Sequence, residues 1–207
     1  MDDILNAIVL LTNFVIVPGL AYGAQLALGA LGVTLIFGIL RFANFAHGDL
    51  MAFATMVVIL VTWVLQDAGI GIAPLPTALI ALPVGILAAV AISLLTDRTV
   101  YRFYRQKKSA PVIFVIASIG VMFMMNGIVR VVIGPDDQSF GDGARFLIEV
   151  TQFREWTGLK EGLAIKMSQA LTLIVAVIAV GALFWFLQRT RAGKAMRRAA
   201  EALEARG

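Results

Sequence analysis

The sequence contains no cysteine, a single histidine and few charged residues. Of its 207 residues only 14% are charged, whereas 60% are hydrophobic and the mean hydropathy is +0.90. Soluble domains typically carry about 25% charged residues. The absence of cysteine excludes a disulfide framework, and one histidine without cysteine argues against a zinc site. The composition therefore indicates an integral membrane protein.

The sequence also lacks the motifs expected of an enzyme. No Walker A stretch is present, so we expect no ATP binding through a P-loop. The lone histidine, His47, has no serine partner in a recognisable catalytic arrangement. We therefore predict that the chain is not an enzyme and carries neither a metal nor another cofactor. The net charge of +4 does not indicate nucleic-acid binding, because the charges occupy short segments between apolar runs.

Five long apolar stretches predict an all-α polytopic membrane protein with about five to six transmembrane helices. A span needs about 20 apolar residues, and a lone segment in lipid satisfies its backbone groups only as a helix. Pro18-Gly19 is expected to separate a short first segment from the first full span. The predicted segments are 4–17, 19–40, Leu50–Leu65, 75–96, Pro111–Ile133 and Leu163–Leu187.

Basic residues predict the orientation of these spans, because lysine and arginine concentrate in cytoplasmic segments. Asp97–Lys108 holds five basic residues, and the tail from Arg189 holds six. The loop Gly134–Gly162 holds six acidic and three basic residues. We therefore expect both basic segments and the C-terminus in the cytoplasm, and the N-terminus and Gly134–Gly162 outside.

A polar stretch, FANFAHGDLM at 42–51, lies between two apolar runs. Polar groups beside a span are costly unless they face protein or a water-filled cavity. Asn44 can donate and accept hydrogen bonds, His47 can titrate near neutral pH, and Gly48 permits a bend or close approach. These residues and Asp49 are candidates for a substrate pathway. An equally good interpretation is an interfacial turn in which Asn44 or Asp49 caps the next helix.

Two more polar residues lie within predicted spans, Gln25 in the first and Asn126 in the fourth. Each either binds a neighbouring helix through a hydrogen bond, which is the commoner use, or lines a pathway. The tail 189–207 contains alanine, leucine and charged residues, which favour a short helix. That tail either lies on an anionic membrane surface or docks a cytoplasmic partner.

Several stretches together resemble the Liv-type permease subunits of bacterial branched-chain amino acid transporters. The resemblance covers about 15–201 and rests first on LGVTLIFGILRFANFAHGDLMAFA. In it, Asn44 to Asp49 stand at the family's asparagine-phenylalanine-alanine-histidine-glycine-acid stretch. RTVYRFYRQKKSAP resembles the family's cytoplasmic loop, and IASIGVMFMMNGIVRVVIG resembles its next span. TRAGKAMRRAAE is similar to the loop before the helix that engages the ATP-binding subunits.

The resemblance implies a membrane subunit of an ATP-driven importer in the bacterial inner membrane. The implied partners are a second permease subunit, two ATP-binding subunits, a periplasmic substrate-binding protein and the lipid bilayer. Leucine, isoleucine and valine are the implied substrates, and relatives take amides, urea or other amino acids. The candidates for coupling to the ATPases are Arg191, Gly193, Lys194 and Glu201.

The resemblance also bears on the domain organisation. Family members continue beyond the tail through further spans, whereas this sequence stops at ALEARG. We therefore expect residues 1–207 to form a single transmembrane permease domain that is incomplete at its C-terminus, with 189–207 as a cytoplasmic docking segment.

Two other functions fit the residues. The chain could be an ATP-independent channel or secondary carrier in which His47 and Asp49 relay protons. It could also be a scaffold that binds partners and transports nothing. Flux driven by a pH gradient without ATP would favour the carrier, whereas co-purification of an ATP-binding subunit would favour the importer.

Overall fold

Five helices that are long and apolar enough to cross a membrane make up most of the described part of the chain. They are seen in a computed structural model that describes residues 2–40, 42–71, 75–141, 143, 145–191 and 193–194. The prediction of an all-α polytopic membrane protein is confirmed. The spanning helices are Asp3–Gly38, His47–Asp67, Ala78–Gln106, Pro111–Ile133 and Met167–Arg189.

Two π-helical turns and two short strands accompany the α-helices of the described residues. The π-helical turns are Thr12–Ile16 and Asp97–Tyr101. The strands are β1 (Phe146–Ile148) and β2 (Ile165–Lys166). The α-helices are α1 (Asp2–Leu11), α2 (Val17–Leu40), α3 (His47–Asp67), α4 (Ala78–Thr96), α5 (Arg102–Gln106), α6 (Pro111–Ile133), α7 (Val150–Thr157) and α8 (Met167–Arg189).

The first apolar run differs from the prediction that Pro18-Gly19 divides it. α1, the π-helical turn Thr12–Ile16 and α2 follow one another without a break, and the Val17 N–H donates to the Thr12 carbonyl. Inside an α-helix, a proline ring collides with the carbonyl four residues earlier and removes a hydrogen bond. The π-helical turn, with its hydrogen bonds five residues apart, directly precedes Pro18. The helix therefore accommodates the proline and continues.

The basic segment after the third predicted span is helical as far as Gln106. α4 continues through the π-helical turn Asp97–Tyr101 into α5. Arg105 donates two hydrogen bonds to the Asp97 carboxylate, each at 2.7 Å, across this turn. Because such paired hydrogen bonds fix the geometry of both side chains, they hold the π-helical turn between its two flanking helices.

The described residues of Gly32–Gly143 form one compact unit, in which α3 packs against both α4 and α6. α4 approaches α3 closely at Gly85, where a Cβ atom would collide with the Val58 side chain. Small residues allow such close helix packing in membranes. An apolar core at the start of α3 consists of Ala46, Val121 and Met125.

The described residues of Met1–Leu31 and Ala144–Gly207 form a second compact unit. β1 and β2 pair antiparallel, and α7 lies between them in the chain. The side chains of Asn6 and Asn13 each accept a backbone N–H from the segment between α7 and β2, at 3.1 and 3.2 Å. Part of the predicted loop Gly134–Gly162 is therefore folded, and its end is held by the first helical run.

Candidate functional site

His47 is the first residue of α3, and its imidazole lies against Gly32 of α2. A Cβ atom at Gly32 would stand 2.5 Å from the Nε2 atom and 2.8 Å from the Cε1 atom of His47. Because any larger residue at this position would displace the ring, the glycine provides the space that the histidine occupies. The second half of α2 and the start of α3 therefore meet through this contact.

Asn44 shapes the turn before α3 and ties that turn to the π-helical turn after α4. Its Oδ1 atom accepts hydrogen bonds from the Ala46 N–H at 3.1 Å and from the Tyr101 hydroxyl at 3.0 Å. The His47 N–H donates to the Asn44 carbonyl at 3.2 Å. Ala46, the residue in the N-cap position of α3, makes no side-chain capping bond. The bond from the Ala46 N–H to Asn44 Oδ1 spans two residues, as a side-chain cap does, so Asn44 braces the turn that leads into α3.

Ser118 of α6 holds the other side of the same turn. Its hydroxyl accepts the Phe45 N–H at 3.1 Å and donates to the Val115 carbonyl at 2.7 Å. The Ser118 side chain is fully buried, so water cannot replace these bonds. Ser118 therefore supplies the polar partner that the buried backbone of the turn requires.

An aromatic cluster surrounds the first residue of the polar stretch. The Phe42 ring lies 5.6 Å from the ring of Tyr101 and 5.2 Å from the ring of Phe114, measured between centroids. Both distances fall in the range that favours aromatic pairs. Tyr101 therefore contacts the polar stretch twice, through its ring at Phe42 and through its hydroxyl at Asn44.

The junction between α2 and α3 is inset among its neighbours. Ser118 lies about two turns into α6, which begins at Pro111, so the junction meets that helix about 10 Å from its start. Tyr101 is likewise followed by α5, which extends to Gln106. The polar stretch therefore contacts protein on two sides, as a polar group beside a membrane span requires.

Asp49 and Asn126, two of the sequence-predicted candidates, are in contact. The Asn126 Nδ2 atom donates to the Asp49 carboxylate at 3.1 Å and so joins α6 to the first turns of α3. Gly48 plays no comparable part within this unit, because a Cβ atom there would meet no atom within 4 Å. Within this unit the close approach is at Gly32, whereas the bend or close approach expected at Gly48 stays a prediction.

Two cavities lie beside the first turns of α3, on different faces of the helix. The first has a volume of about 500 Å³, and its polar lining includes Asn44, His47, Thr96, Asp97 and Tyr101. The second has a volume of about 350 Å³, and its polar lining includes Asp49, Asn126, Arg130, Asp136, Asp137 and Gln138. Thr55 contributes to both linings. His47 and Asp49, although two residues apart, therefore face different cavities.

Gln25, another sequence-predicted candidate, belongs to the other compact unit. It lies on α2 within the unit formed by Met1–Leu31 and Ala144–Gly207, where its side chain is exposed. No group of three or more histidine, cysteine, aspartate or glutamate side chains that could hold a metal ion occurs among the described residues.

The start of the basic tail turns back onto the end of α8. The Thr190 hydroxyl accepts the Gly193 N–H at 3.0 Å, which is the bonding pattern of a helix N-cap. A Cβ atom at Gly193 would collide with the Phe186 carbonyl and the Leu187 backbone. The neighbouring candidates Arg191 and Lys194 are exposed. The remaining coupling candidate, Glu201, lies outside the described residues.

Sequence reasoning missed Gly32, Tyr101 and Ser118. Ser118 and Tyr101 could have been found from the sequence, because a serine within an apolar span and a tyrosine beside one both need a hydrogen-bond partner. The sequence gives no signal for Gly32, since glycine is common in transmembrane helices. Its importance becomes visible only when the His47 ring is placed.

The chain is similar to characterised amino acid transport proteins over most of its length. It is 27% identical over 190 residues to the high-affinity branched-chain amino acid transport system permease protein BraD of Pseudomonas aeruginosa, covering 91% of this chain and 59% of the relative. It is 28% identical over 194 residues to the permease proteins LivH of Salmonella typhimurium and Escherichia coli, covering 90% of this chain and 58% of each relative. The chain thus spans less than two thirds of the length of these relatives.

No solved structure gives a significant match. Residues 15–205 match the family described as the branched-chain amino acid transport system permease component. That match includes the inset junction, both cavities and the turn at Gly193. The chain belongs to this family of transport permeases.

Proposed function

We propose that this chain is a membrane-spanning subunit of an ATP-driven importer for branched-chain or related amino acids and forms part of its translocation pathway. Family membership and five apolar helices support this proposal. The observation that carries it is the inset junction at 42–51, whose polar residues stand between two cavities. A pathway needs such polar groups at membrane depth, whereas a simple structural helix does not.

The geometry suggests how α3 takes part in transport. Its first turns are held by Asn44 to the π-helical turn after α4 and by Asp49 to α6. A shift of α4 or of α6 therefore moves α3. Residues of α3 line both cavities, so this movement changes both. Transport of this kind requires two arrangements whose balance the ATPases change. We propose that the shift of α3 opens one cavity while it narrows the other.

The proposed assembly is that of an inner-membrane importer. Its other components are a second permease subunit, two ATP-binding subunits and a periplasmic substrate-binding protein. ATP is hydrolysed in the partner subunits and not by this chain. The N-terminus lies outside and the C-terminus in the cytoplasm, because basic residues concentrate at 98–108 and in the tail. The tail docks the ATPases through Arg191, Gly193, Lys194 and Glu201, within a single permease domain.

Reconstitution of the complex tests this proposal. The chain is co-expressed with the products of its neighbouring genes, purified and placed in liposomes that contain ATP. ATP-dependent uptake of leucine, isoleucine or valine, abolished by omission of this chain, is the expected result. Uptake driven by a pH gradient without ATP would instead support the carrier with His47 and Asp49 as relay. Assembly without any uptake would support the scaffold.

A further inference from the structure

The cavity between α3 and α6 contains charged groups of both signs beside apolar walls. Arg130 supplies a guanidinium, and Asp49, Asp136 and Asp137 supply carboxylates. Met56, Ile59, Val129 and Ile133 supply apolar surface. The volume of about 350 Å³ lies within the range of small-molecule sites. The cavity therefore has the size and the mixture of groups that a small amphipathic ion requires.

The charged groups in this cavity form no ion pairs with one another in the described part of the chain. Arg130 forms no ion pair with Asp49, Asp136 or Asp137 within the described part of the chain. Asn126, one turn before Arg130 on the same face of α6, donates its amide N–H to Asp49 and keeps its own carbonyl oxygen as an acceptor. Guanidinium, carboxylate and amide are therefore all available to a ligand.

The mouth of the cavity is held in place. Residues 134–138, which follow α6, line the cavity. Hydrogen bonds from the end of α3 to the next two residues hold this segment in place. The Trp63 indole N–H donates to the Ser139 carbonyl at 3.2 Å, and the Gln66 amide donates to the Phe140 carbonyl at 2.8 Å. A fixed mouth favours binding, because less freedom is lost when a ligand enters.

We infer that this cavity binds the head group of a zwitterionic amino acid, with Arg130 receiving the carboxylate and Asp49 the ammonium. This inference rests on the proposed function and assigns a place and charge partners to its substrate. A planar guanidinium binds a carboxylate through two parallel hydrogen bonds. The Asp49 carboxylate and the Asn126 carbonyl oxygen accept the ammonium hydrogens, and the apolar walls take the aliphatic side chain.

The charge balance of the cavity makes a specific prediction about analogues. Three carboxylates face one guanidinium, so a ligand without an ammonium group is repelled. 4-Methylpentanoate, which is leucine without its amino group, is therefore excluded. Leucinamide keeps the ammonium that the carboxylates attract and loses only the carboxylate that Arg130 receives. Leucine and leucinamide therefore both bind more tightly than 4-methylpentanoate, and only leucine depends on Arg130.

The experiment measures binding of radiolabelled leucine to the full chain in lipid nanodiscs, with the two analogues as competitors. Arg130→Gln is expected to weaken leucine binding about tenfold, which corresponds to one charge-assisted contact, and to leave leucinamide binding within about twofold. Asp49→Asn is expected to weaken both ligands about tenfold. Arg154→Gln and Asp67→Asn, at exposed positions outside the cavity, are the matched controls and leave both affinities unchanged.

Several results would overturn the inference. The first is that the unaltered chain does not bind leucine. The second is that neither Arg130→Gln nor Asp49→Asn changes the affinity for leucine. The third is that Arg130→Gln lowers the affinities for leucine and leucinamide equally. The analogue order in the unaltered chain tests the inference even where a variant does not insert. Leucine uptake by the reconstituted complex is measured separately: uptake with a failed binding pattern rejects the site alone, whereas absence of uptake rejects the proposed function.

Discussion

The imidazole of His47 and the backbone of Gly32 are in direct contact, and this contact joins α2 to α3. The space that a Cβ atom of residue 32 would need is occupied by the Nε2 and Cε1 atoms of the ring. The single histidine of the chain is therefore positioned by a glycine fifteen residues earlier. This pairing makes the position of the ring dependent on the second half of α2.

Replacement of Gly32 by alanine is expected to destabilise the protein and to impair transport. The new Cβ atom would lie within 2.8 Å of two ring atoms, so the ring or the helix must move. Overpacking of this kind typically costs about 1–3 kcal/mol. The free energy of unfolding in detergent and the rate of ATP-dependent uptake are the two measurements.

Gly48→Ala is the matched control for this substitution. A Cβ atom at Gly48 meets no atom within 4 Å, and alanine is favoured over glycine in a helix by about 1 kcal/mol. Its stability is therefore expected to be equal or higher. The double variant Gly32→Ala/His47→Ala removes the clash and recovers part of the lost stability. Equal losses in Gly32→Ala and Gly48→Ala would contradict the role assigned to this contact.

Tyr101→Phe is expected to loosen the turn before α3 while its aromatic packing is kept. The variant loses the hydrogen bond from the Tyr101 hydroxyl to Asn44 but retains the ring beside Phe42. Loss of one such bond costs about 0.5–1.5 kcal/mol, and Asn44→Ala, which loses a second bond to Ala46, costs more. Both values are read from unfolding titrations in detergent.

Tyr104→Phe serves as the control, because Tyr104 belongs to the same aromatic cluster and its hydroxyl makes no hydrogen bond among the described residues. We expect its stability to match that of the unaltered chain. If Tyr104→Phe and Tyr101→Phe lose the same stability, the bond to Asn44 contributes nothing specific.

The helices could be predicted from the sequence, because lipid forces an apolar segment to satisfy its own backbone hydrogen bonds. The polar stretch could be found for a related reason, since Asn44, His47 and Asp49 are out of place beside apolar runs. The family resemblance carried by the same residues was also correct. Each of these signals can be recognised within a single short stretch of the sequence.

The partners of the polar stretch could not be predicted, because they depend on which helices face one another. Ser118 is 73 residues from Phe45, and Tyr101 is 57 residues from Asn44. Gly48 was expected to permit a bend or close approach because glycine is flexible, whereas the close contact with His47 is made by Gly32. The continuation of the first helix past Pro18 was missed because a π-helical turn leaves no clear mark in the sequence.

Ser118→Ala is expected to lower the free energy of unfolding more than replacement of a solvent-exposed serine does. Ser118 is fully buried, and its removal leaves the Phe45 N–H without its acceptor. An unsatisfied buried group costs about 1–3 kcal/mol. Ser168→Ala, at an exposed position on α8, is the control and is expected to change stability by less than about 0.5 kcal/mol. Similar losses for both variants in unfolding titrations would show that the Ser118 hydroxyl does not brace the turn.

If the tail docks ATP-binding subunits as proposed, Gly193→Ala is expected to uncouple ATP hydrolysis from uptake while membrane insertion stays intact. The added Cβ atom would collide with the Phe186 carbonyl and the Leu187 backbone, so the turn capped by Thr190 must move away from α8. Coupling between distant sites typically amounts to about 1–3 kcal/mol, and we expect the amount of amino acid imported per ATP to fall about tenfold when this coupling is weakened.

The ratio of uptake to phosphate release in proteoliposomes measures this coupling. Gly181→Ala is the matched control, because a Cβ atom at this position of α8 meets nothing within 4 Å, and its ratio should equal that of the unaltered complex. Pull-down of the ATP-binding subunits separates loss of docking from loss of coupling. If Gly193→Ala leaves both the ratio and the pull-down unchanged, the tail does not transmit the ATPase cycle through this turn, and the coupling surface must lie elsewhere on the chain.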